Sequence, residues 1–336
     1  MKESDIRPAA VFDQFLALAE QDAKRYFGEA PRERVNCPAC DRDDTVFAFR
    51  KLGFDYETCP SCATLFVNPR PGPDAFRRYY REAPSIKFWA THFYEQTEAA
   101  RRERIFTPRA RTVMEKVGKY LAGSGAAGPG WIGDIGAGYG VFCEEIKKVS
   151  PRTDVFAVEP SPELARVCQG KGLAVVPKFL EDAVRADLPV GPDARGTFTS
   201  FELLEHVQAP GAFLDSCRRL LRPGDLFILT TLNGLGLDIQ VLWEKSKSVH
   251  PPHHINFFNP RSIKLLMEKV GFQAVEISTP GKLDVSILEN SLGKVFSDRF
   301  WTHFLAQLGE DGKDRFQQFV SDQGLSSHMM VVAQCR

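Results

Sequence analysis

Apolar and polar positions in the second half of the chain predict strands and helices in alternation. The apolar runs predict buried strands: WIGDIG (131–136), DVFAVE (154–159), LAVVP (173–177), GTFTSFE (196–202), DLFILTTL (225–232), FQAVEIST (272–279) and HMMVVAQ (328–334). The segments with helical spacing are GVFCEEIKKV (140–149), SPELARVCQG (161–170), GAFLDSCRRLL (211–221) and SIKLLMEKVG (262–271). This β/α alternation predicts a parallel sheet covered by helices on both faces, with ligands at the carboxyl ends of the strands.

The first third of the chain carries a different pattern. Residues 1–30 predict a helix, and residues 72–121 predict an amphipathic helical region with apolar positions such as Ile105 and Val113 among many arginines. A solvated helical face that packs on the next domain explains this pattern better than a nucleic-acid surface does. The glycine-rich stretch at 122–130 predicts the end of the helix and a domain boundary.

Four of the eight cysteines fall in one block, C-x2-C-x18-C-x2-C, through Cys37, Cys40, Cys59 and Cys62. Each C-x2-C lets two thiolates point at one ion from a tight turn, and two such turns complete the tetrahedron of a zinc ribbon. A redox role for a C-x2-C is the alternative, and the paired spacing favours zinc. The intervening segment around Gly53 predicts a short hairpin. Four thiolates leave no position for water, so the predicted Zn²⁺ is structural.

Composition narrows the classes of function. With 336 residues, 43% hydrophobic and 26% charged, the chain has the balance of a globular protein with one large domain and a smaller attachment, or with two domains. Lys+Arg and Asp+Glu both number 43, and this zero net charge argues against a partner bound mainly through phosphates. No apolar run reaches the roughly 20 residues of a membrane span, and the N-terminus lacks a signal-peptide core. We therefore predict a cytoplasmic protein with no membrane partner.

A glycine-rich loop follows the first predicted strand of the second half, in Asp134-Ile-Gly136-Ala-Gly138-Tyr-Gly140. Glycines between a strand and a helix let a ligand approach the backbone closely. The G-x-G-x-G spacing is one residue shorter than the dinucleotide fingerprint, and an acid precedes it. A carboxylate there would repel a pyrophosphate but suits a ligand with ammonium and sulfonium charges. The next strand ends in Glu159, where an acid can accept both hydroxyls of a ribose.

Together these features resemble the class I S-adenosylmethionine-dependent methyltransferases over roughly residues 130–336. DIGAGYG resembles their cofactor loop, the acid of AVEPSPE their ribose-binding residue, and SFELLEHV their motif at the fourth strand. RLLRPGDLFILTTLN resembles their helix, turn and fifth strand, and the last two predicted strands resemble their terminal antiparallel hairpin. With the ribbon in front, the chain resembles a bacterial subgroup of small-molecule methyltransferases. The implied fold class is α/β, a Rossmann-like seven-stranded sheet with an N-terminal zinc ribbon and a helical linker.

The resemblance also implies where S-adenosylmethionine binds. Asp134, Gly136 and Gly138 line its methionine end, Glu159 holds the ribose, and Glu181 lies near the adenine. The full set of implied cofactor-binding residues is Asp134, Gly136, Ala137, Gly138, Glu159, Pro160, Glu181, Phe201 and Glu202.

Three histidines are candidate catalytic residues, because an O- or N-acceptor with a high pKa gains from a general base. His206 lies in E-x-x-E-H, which resembles the divalent-metal site of ubiquinone-pathway O-methyltransferases; a bound Mg²⁺ is an alternative to a positioning or base role. His253 and His254 lie in SVHPPHHINFF (248–258), whose prolines and aromatic residues predict a lid over the substrate. Similar enzymes carry a histidine before an aromatic pair here, so His254 is the preferred base or orienting residue. A zinc site with His250 is disfavoured, because adjacent histidines diverge.

The predicted domain organisation has four parts with two further segments. They are an N-terminal helix (1–30), a zinc ribbon (31–70), a helical linker (71–122) and a methyltransferase domain (123–336) with a substrate lid (233–260) and a helical insertion (280–325). The insertion is expected to line the substrate pocket or to form the contact of a homodimer.

The sequence therefore predicts S-adenosylmethionine-dependent methyl transfer to a small-molecule acceptor, a sugar or natural-product intermediate, with oxygen as the expected acceptor atom. One alternative is an RNA methyltransferase in which the ribbon and the arginines at 101–111 bind the substrate. The other is a non-catalytic interaction protein built from the ribbon and a degenerate methyltransferase fold. The zero net charge weighs against the first, and the glycine loop with Glu159 weighs against the second.

Overall fold

The computed structural model describes residues 2–121 and 130–336. The stretch at 122–130, predicted as a domain boundary, lies outside the described residues except for Gly130. The strands, in chain order, are β1 (Arg32–Glu33), β2 (Val46–Lys51), β3 (Phe54–Thr58), β4 (Leu65–Val67), β5 (Arg70–Pro71), β6 (Trp131–Ile135), β7 (Asp154–Val158), β8 (Ala174–Val176), β9 (Gly196–Phe201), β10 (Leu226–Leu232), β11 (Asn256–Phe257), β12 (Phe272–Ser278) and β13 (His328–Cys335).

The helices, in chain order, are α1 (Ala9–Phe27), α2 (Pro73–Glu82), α3 (Pro84–Phe88), α4 (Tyr94–Arg101), α5 (Thr107–Tyr120), α6 (Val141–Val149), α7 (Pro162–Gly170), α8 (Pro210–Leu220), α9 (Leu237–Leu242), α10 (Pro260–Lys269), α11 (Asp284–Ser291) and α12 (Arg299–Asp322). Two π-helical turns, Trp89–Phe93 and Arg102–Phe106, connect α3, α4 and α5. Among the helices in the described part of the chain, none combines the length and the apolar character that crossing a membrane requires.

The chain forms two compact units, and each is built from three separate stretches. Unit 1 contains Met1–Glu98, Leu232–Ile263 and Ser278–Met329. Unit 2 contains Ala99–Thr231, Lys264–Ile277 and Met330–Arg336. The segments predicted as a lid and as a helical insertion thus belong to the same compact unit as the ribbon.

Unit 2 is organised around a seven-stranded sheet with the order β12-β13-β10-β9-β6-β7-β8. The pairs β10–β9, β9–β6, β6–β7 and β7–β8 are parallel. All five residues of β6 are buried, as expected for a central parallel strand covered on both faces. The chain runs outward from β6 in both directions, and such a switch point opens a ligand crevice at the carboxyl ends of the strands. This mixed sheet is the class I methyltransferase fold, which confirms the predicted fold class.

Unit 1 contains a four-stranded sheet with the order β11-β4-β3-β2. β2 and β3 form the predicted hairpin, joined by Leu52 and Gly53 at φ values of 47° and 81°. A two-residue turn with both φ values positive matches the right-handed twist of the strands. The core behind this sheet includes the fully buried rings of Phe27, Phe54 and Tyr56.

The segment Arg299–Asp322 in unit 1 bends sharply, because Gly309 has φ 61° and ψ 179°. The rings of Phe304 and Phe316 lie 5.1 Å apart, centroid to centroid. In a straight helix, two residues 12 positions apart would be separated by about 18 Å. The two halves of α12 therefore fold back on each other around an aromatic cluster that also includes Trp301.

Candidate functional site

The four clustered cysteines of unit 1 converge on one point. The Sγ atoms of Cys37 and Cys62 lie 3.5 Å apart, as do those of Cys40 and Cys59, and all four lie within 4.8 Å of one another. An S–S bond would require about 2.05 Å, so these are not disulfides. A tetrahedron of thiolates about 2.3 Å from Zn²⁺ places neighbouring sulfurs about 3.8 Å apart. The donor set therefore fits a closed, structural zinc site, as predicted for a zinc ribbon.

Two matching turns bring the cysteine pairs together. In the first, the Asp41 N–H donates to the Cys37 carbonyl (2.9 Å), and in the second the Ala63 N–H donates to the Cys59 carbonyl (2.8 Å). Both Asp41 and Ala63 adopt positive φ, at 69° and 56°. The N–H of Cys59 also bonds the Thr64 carbonyl (2.9 Å), so the second turn leads directly into β4. Repetition of one turn geometry aims both thiols of each pair at the same centre.

The glycine-rich loop of unit 2 is held by the acid at the end of the next strand. Glu159, which is 5% exposed, accepts hydrogen bonds from the N–H of Gly138 (2.8 Å) and of Ser161 (2.9 Å). Gly138 has φ 56°, and the space where a Cβ would project contains no atom within 4 Å. Burial raises the pKa of Glu159, while the two backbone hydrogen bonds lower it. The loop thus leaves open space above a backbone that a buried acid fixes in place.

Asp134 lies at the end of β6 and is 4% exposed. Its Oδ1 atom accepts a hydrogen bond from the Thr199 hydroxyl (2.7 Å) on the neighbouring strand β9. Burial raises its pKa to about 7, and the Thr199 hydrogen bond and the positive charge of Arg109 limit the rise. A carboxylate in this state is stabilised by any cation that approaches it.

Two further acids follow β9. Glu202 has φ 52°, an uncommon conformation for a non-glycine residue, and accepts a hydrogen bond from the Thr230 hydroxyl (2.7 Å). Glu205 is 1% exposed and accepts a hydrogen bond from the Thr231 hydroxyl (2.8 Å). Burial, followed by the charge of Glu202, raises the pKa of Glu205 to about 8. Strained backbone and raised pKa values cluster at functional sites, and both occur here.

Arg109 on α5 is a residue that the sequence interpretation missed. Its Nη2 atom lies 3.5 Å from Glu202 Oε1, and its guanidinium lies over the Phe201 ring at 4.4 Å. The arginines of 101–111 were interpreted as a solvated face, yet the side chain of Arg109 is only 10% exposed. A signal was available: Arg109 shares its helix face with Val113 and Val117, four and eight residues on, and both are buried.

The remaining cofactor candidates of unit 2 lie in different environments. Ala137 in the loop and Pro160 after β7 are half-buried. Phe201 ends β9 and packs edge-on against Phe142, with the ring centroids 4.6 Å apart. Glu181 lies in the 3-10 turn Leu180–Asp182 and is exposed. Its position near an adenine stays a prediction. His206 ends the 3-10 turn Leu204–His206 and is half-buried.

The three histidines of the segment 248–258 lie in three different environments. Burial, with a smaller contribution from Lys51, lowers the pKa of His250 to about 4, so this residue is neutral. The His253 ring packs against Phe15, at a centroid distance of 5.3 Å. The His254 Nδ1 atom lies 2.6 Å from the carbonyl oxygen of Ser248. Since a carbonyl only accepts, Nδ1 is a protonated nitrogen, and in the neutral imidazole the lone pair is on Nε2.

Comparisons with known proteins agree with this geometry. Residues 107–277 match the family model described as a methyltransferase domain. The ubiquinone biosynthesis O-methyltransferase of Xanthomonas oryzae pv. oryzae (strain PXO99A) is 34% identical over 109 residues, which cover 30% of this chain and 42% of that protein. The protein of the same name from Xylella fastidiosa (strain 9a5c) is 30% identical over 102 residues, covering 30% and 41%. The chain thus spans less than half the length of these curated relatives.

Two solved structures are similar at low sequence identity. The plantazolicin methyltransferase BpumL in complex with SAH is 14% identical, with a TM-score of 0.47, covering 77% of this chain and 93% of that chain. A SAM-dependent methyltransferase from Archaeoglobus fulgidus is 17% identical, with a TM-score of 0.41, covering 67% and 94%. The matched family model covers residues 107–277, half of the chain, and the sheet order is the one expected for it. The chain belongs to the methyltransferase-domain family.

Proposed function

We propose that this protein transfers the methyl group of S-adenosylmethionine to a small molecule, with oxygen as the acceptor atom. The observation that carries the proposal is the pairing of the open glycine loop with buried Glu159 and Asp134 at the carboxyl ends of β7 and β6. This combination suits a ligand with ribose hydroxyls at one end and positive charge at the other. Bound S-adenosylmethionine supplies a methyl group that its sulfonium already activates.

The residues of unit 2 have separate roles in this proposal. Asp134 offers a carboxylate to the charged methionine end, and the Gly136–Gly138 backbone allows close approach. Glu159 accepts the ribose hydroxyls with the lone pairs that its two backbone hydrogen bonds leave, since a carboxylate has about four acceptor sites. Glu202, Phe201, Ala137 and Pro160 complete the proposed cofactor contacts. Glu181 remains in the set as a weaker member, because it is exposed.

Arg109 joins this set as a residue that balances charge. Asp134, Glu202 and Glu205 place three carboxyl groups near one buried guanidinium, and Arg109 acts electrostatically on all three. Without that guanidinium, ionising the buried acids would cost more, because burial disfavours the charged form. Arg109 therefore keeps the acids able to receive a positively charged cofactor.

His254 is the proposed general base. The Ser248 carbonyl fixes its tautomer and leaves the lone pair on Nε2, the arrangement needed to accept the proton of an acceptor hydroxyl. His253 and His206 remain candidates for orienting the acceptor or the loop. A Mg²⁺ ion bound through Glu202, Glu205 and His206 remains the alternative role for E-x-x-E-H.

Several observations support the acceptor class. The curated relatives carry the name O-methyltransferase, which favours oxygen. Zero net charge favours a small molecule over RNA. A sugar or natural-product intermediate is the proposed acceptor, and the cytoplasmic location and the homodimer remain predictions.

Methyl-label transfer tests this function. Purified protein is incubated with S-adenosylmethionine carrying a labelled methyl group, together with a small-molecule extract or with bulk RNA. We expect label in the small-molecule fraction, and loss of at least about 90% of it in His254→Gln, since general-base catalysis contributes about 100-fold or more. His303→Gln changes an exposed histidine of the same unit and serves as the matched control. Label that enters RNA alone would overturn the proposal. Undiminished activity of His254→Gln would exclude His254 as the general base.

A further inference from the structure

The four-cysteine site and the loop that carries His254 each lead into a strand of the same sheet in unit 1. β11, which lies directly after His254 and Ile255, pairs antiparallel with β4, with Asn256 opposite Phe66 and Phe257 opposite Leu65. β4 begins three residues after Cys62. The Val67 N–H also donates to the Ile255 carbonyl (2.9 Å). Backbone hydrogen bonds therefore connect the second cysteine turn to the chain beside His254.

Side chains add a second set of connections between the ribbon and this loop. Asn259, which is 1% exposed, donates from Nδ2 to the carbonyl oxygen of Cys62 itself (2.8 Å). The hydroxyl of Tyr56, a fully buried residue of β3, donates to the carbonyl oxygen of His254 (2.7 Å). Lys51 at the end of β2 donates from Nζ to the carbonyl oxygen of Ser246 (2.8 Å).

These contacts reach the loop at its start, at its centre and at its end. Ser246 precedes the carbonyl that fixes the His254 tautomer by two residues, and Asn259 follows His254 by five. Asn256 is held a second way, because its side-chain oxygen accepts a hydrogen bond from the buried guanidinium of Arg70. The ribbon and its sheet thus contact the segment 246–259 at Ser246 and again from His254 to Asn259.

We propose that metal binding at Cys37, Cys40, Cys59 and Cys62 orders the segment 246–259, and thereby sets the position and the tautomer of His254. The metal site then stabilises the segment 246–259 as well as the ribbon itself. Without the ion, the Cys59–Cys62 turn loses its fixed geometry, and β4 and the Cys62 carbonyl lose their positions with it. The catalytic consequence rests on the proposed function, whereas the ordering itself does not.

Hydrogen exchange followed by mass spectrometry tests this coupling without any turnover. The full-length protein is compared with and without zinc, and with Cys40→Ser, which removes one ligand. We expect peptides covering 246–259 to exchange at least tenfold faster when the metal is lost. Peptides covering β6 and β7 in unit 2, and the dissociation constant for S-adenosylhomocysteine, should change less than twofold. Unchanged protection of 246–259 without metal would overturn the proposal, and so would equal loss of protection in both units.

Two milder variants keep the test decisive if Cys40→Ser does not fold. Asn259→Ala cuts the bond to Cys62 while leaving all four cysteines, and Tyr56→Phe removes only the hydroxyl that bonds the His254 carbonyl. Both should bind one zinc per chain and still exchange faster at 246–259, with Asn259→Ala showing the larger effect. The matched control is Tyr26→Phe, which removes the hydroxyl of another buried tyrosine of unit 1, on α1. If neither variant alters exchange in the segment, the coupling is absent. Failure of methyl transfer with this coupling intact would instead count against the proposed function.

Discussion

The pH dependence of cofactor binding follows from the state of Asp134. In the free protein its pKa is about 7, because burial disfavours the carboxylate. In our proposal the cofactor brings an ammonium and, for S-adenosylmethionine, a sulfonium to this carboxylate. A cationic ligand binds the ionised form better, so binding must release the proton that Asp134 carries at lower pH. Affinity should therefore rise with pH through 7.

The size of the effect follows from the same value. At pH 6 about one tenth of the Asp134 side chains are ionised, and at pH 8 about nine tenths are, given a pKa of about 7. If only the ionised form binds tightly, the dissociation constant falls about tenfold from pH 6 to pH 8, or about 1.4 kcal/mol. At pH 7, binding of one ligand should release about half a proton.

Calorimetry in buffers of different ionisation enthalpy measures both quantities. Asp134→Asn should bind S-adenosylmethionine more weakly but with a flat pH profile, and Asp154→Asn, an exposed residue of β7, should behave like the wild type. Glu205, with a pKa of about 8, is the competing source of a proton. Wild-type affinity that does not change with pH would show that binding is not coupled to the ionisation of Asp134. A pH dependence that survives in Asp134→Asn would assign the proton to Glu205.

Four further measurements test other parts of the structure. Asp225→Ala should lower the free energy of unfolding by about 3–5 kcal/mol, because a fully buried carboxylate with three hydrogen bonds is lost. Asp193→Ala removes an exposed ion pair and should lower the free energy of unfolding by under about 1 kcal/mol. Gly138→Ala should weaken cofactor binding, measured by calorimetry, by about tenfold, because alanine is strained at φ 56°. Gly118→Ala, on the exposed face of α5, should instead stabilise the protein by about 0.5–1 kcal/mol in thermal denaturation. Arg109→Leu should raise the pKa of Asp134 and move the midpoint of the affinity profile above pH 7. The folded-state pKa of Asp134 exceeds its unfolded value of about 3.9, so the Asp134 carboxyl contributes fully to stability below about pH 4, and this contribution is lost as pH rises through 7. The Tm of the cofactor-free protein should therefore fall from pH 5 to pH 8, and it should fall less steeply in Asp134→Asn.

Local patterns predicted most of the seven-stranded sheet. Each apolar run of the second half became a strand. Strands that are buried on both faces carry nearly continuous apolar residues, so the local pattern is enough to predict them. The cysteine spacing predicted the metal ligands for a similar reason, since each pair acts within one turn. The hairpin of β2 and β3 was also local, with its turn at Leu52 and Gly53.

Long-range pairing was not available from the sequence. β11 has only two residues, and its partner β4 lies about 190 positions earlier, so no periodicity could predict their contact. The segment predicted as a lid (233–260) was assigned to the methyltransferase domain, and in the structure it lies in the compact unit that also contains the ribbon. Helical spacing likewise could not predict that Gly309 folds α12 back on itself, because one backbone conformation reverses the chain there. The burial of Arg109 was missed for a different reason. Its charge predicted an exposed side chain, although its position on the apolar face of the helix predicted a buried one.

Binding of S-adenosylhomocysteine, measured by calorimetry, is the most direct test of whether unit 2 holds the cofactor. We expect one ligand per chain for the wild-type protein, and at least about tenfold weaker binding for Glu159→Ala, which loses the proposed charge-assisted hydrogen bonds to the ribose. Glu163→Ala, an exposed acid at the start of α7, should bind as the wild type does. No binding to the wild-type protein, or equal binding by Glu159→Ala, would show that Glu159 and the glycine loop do not form the cofactor site.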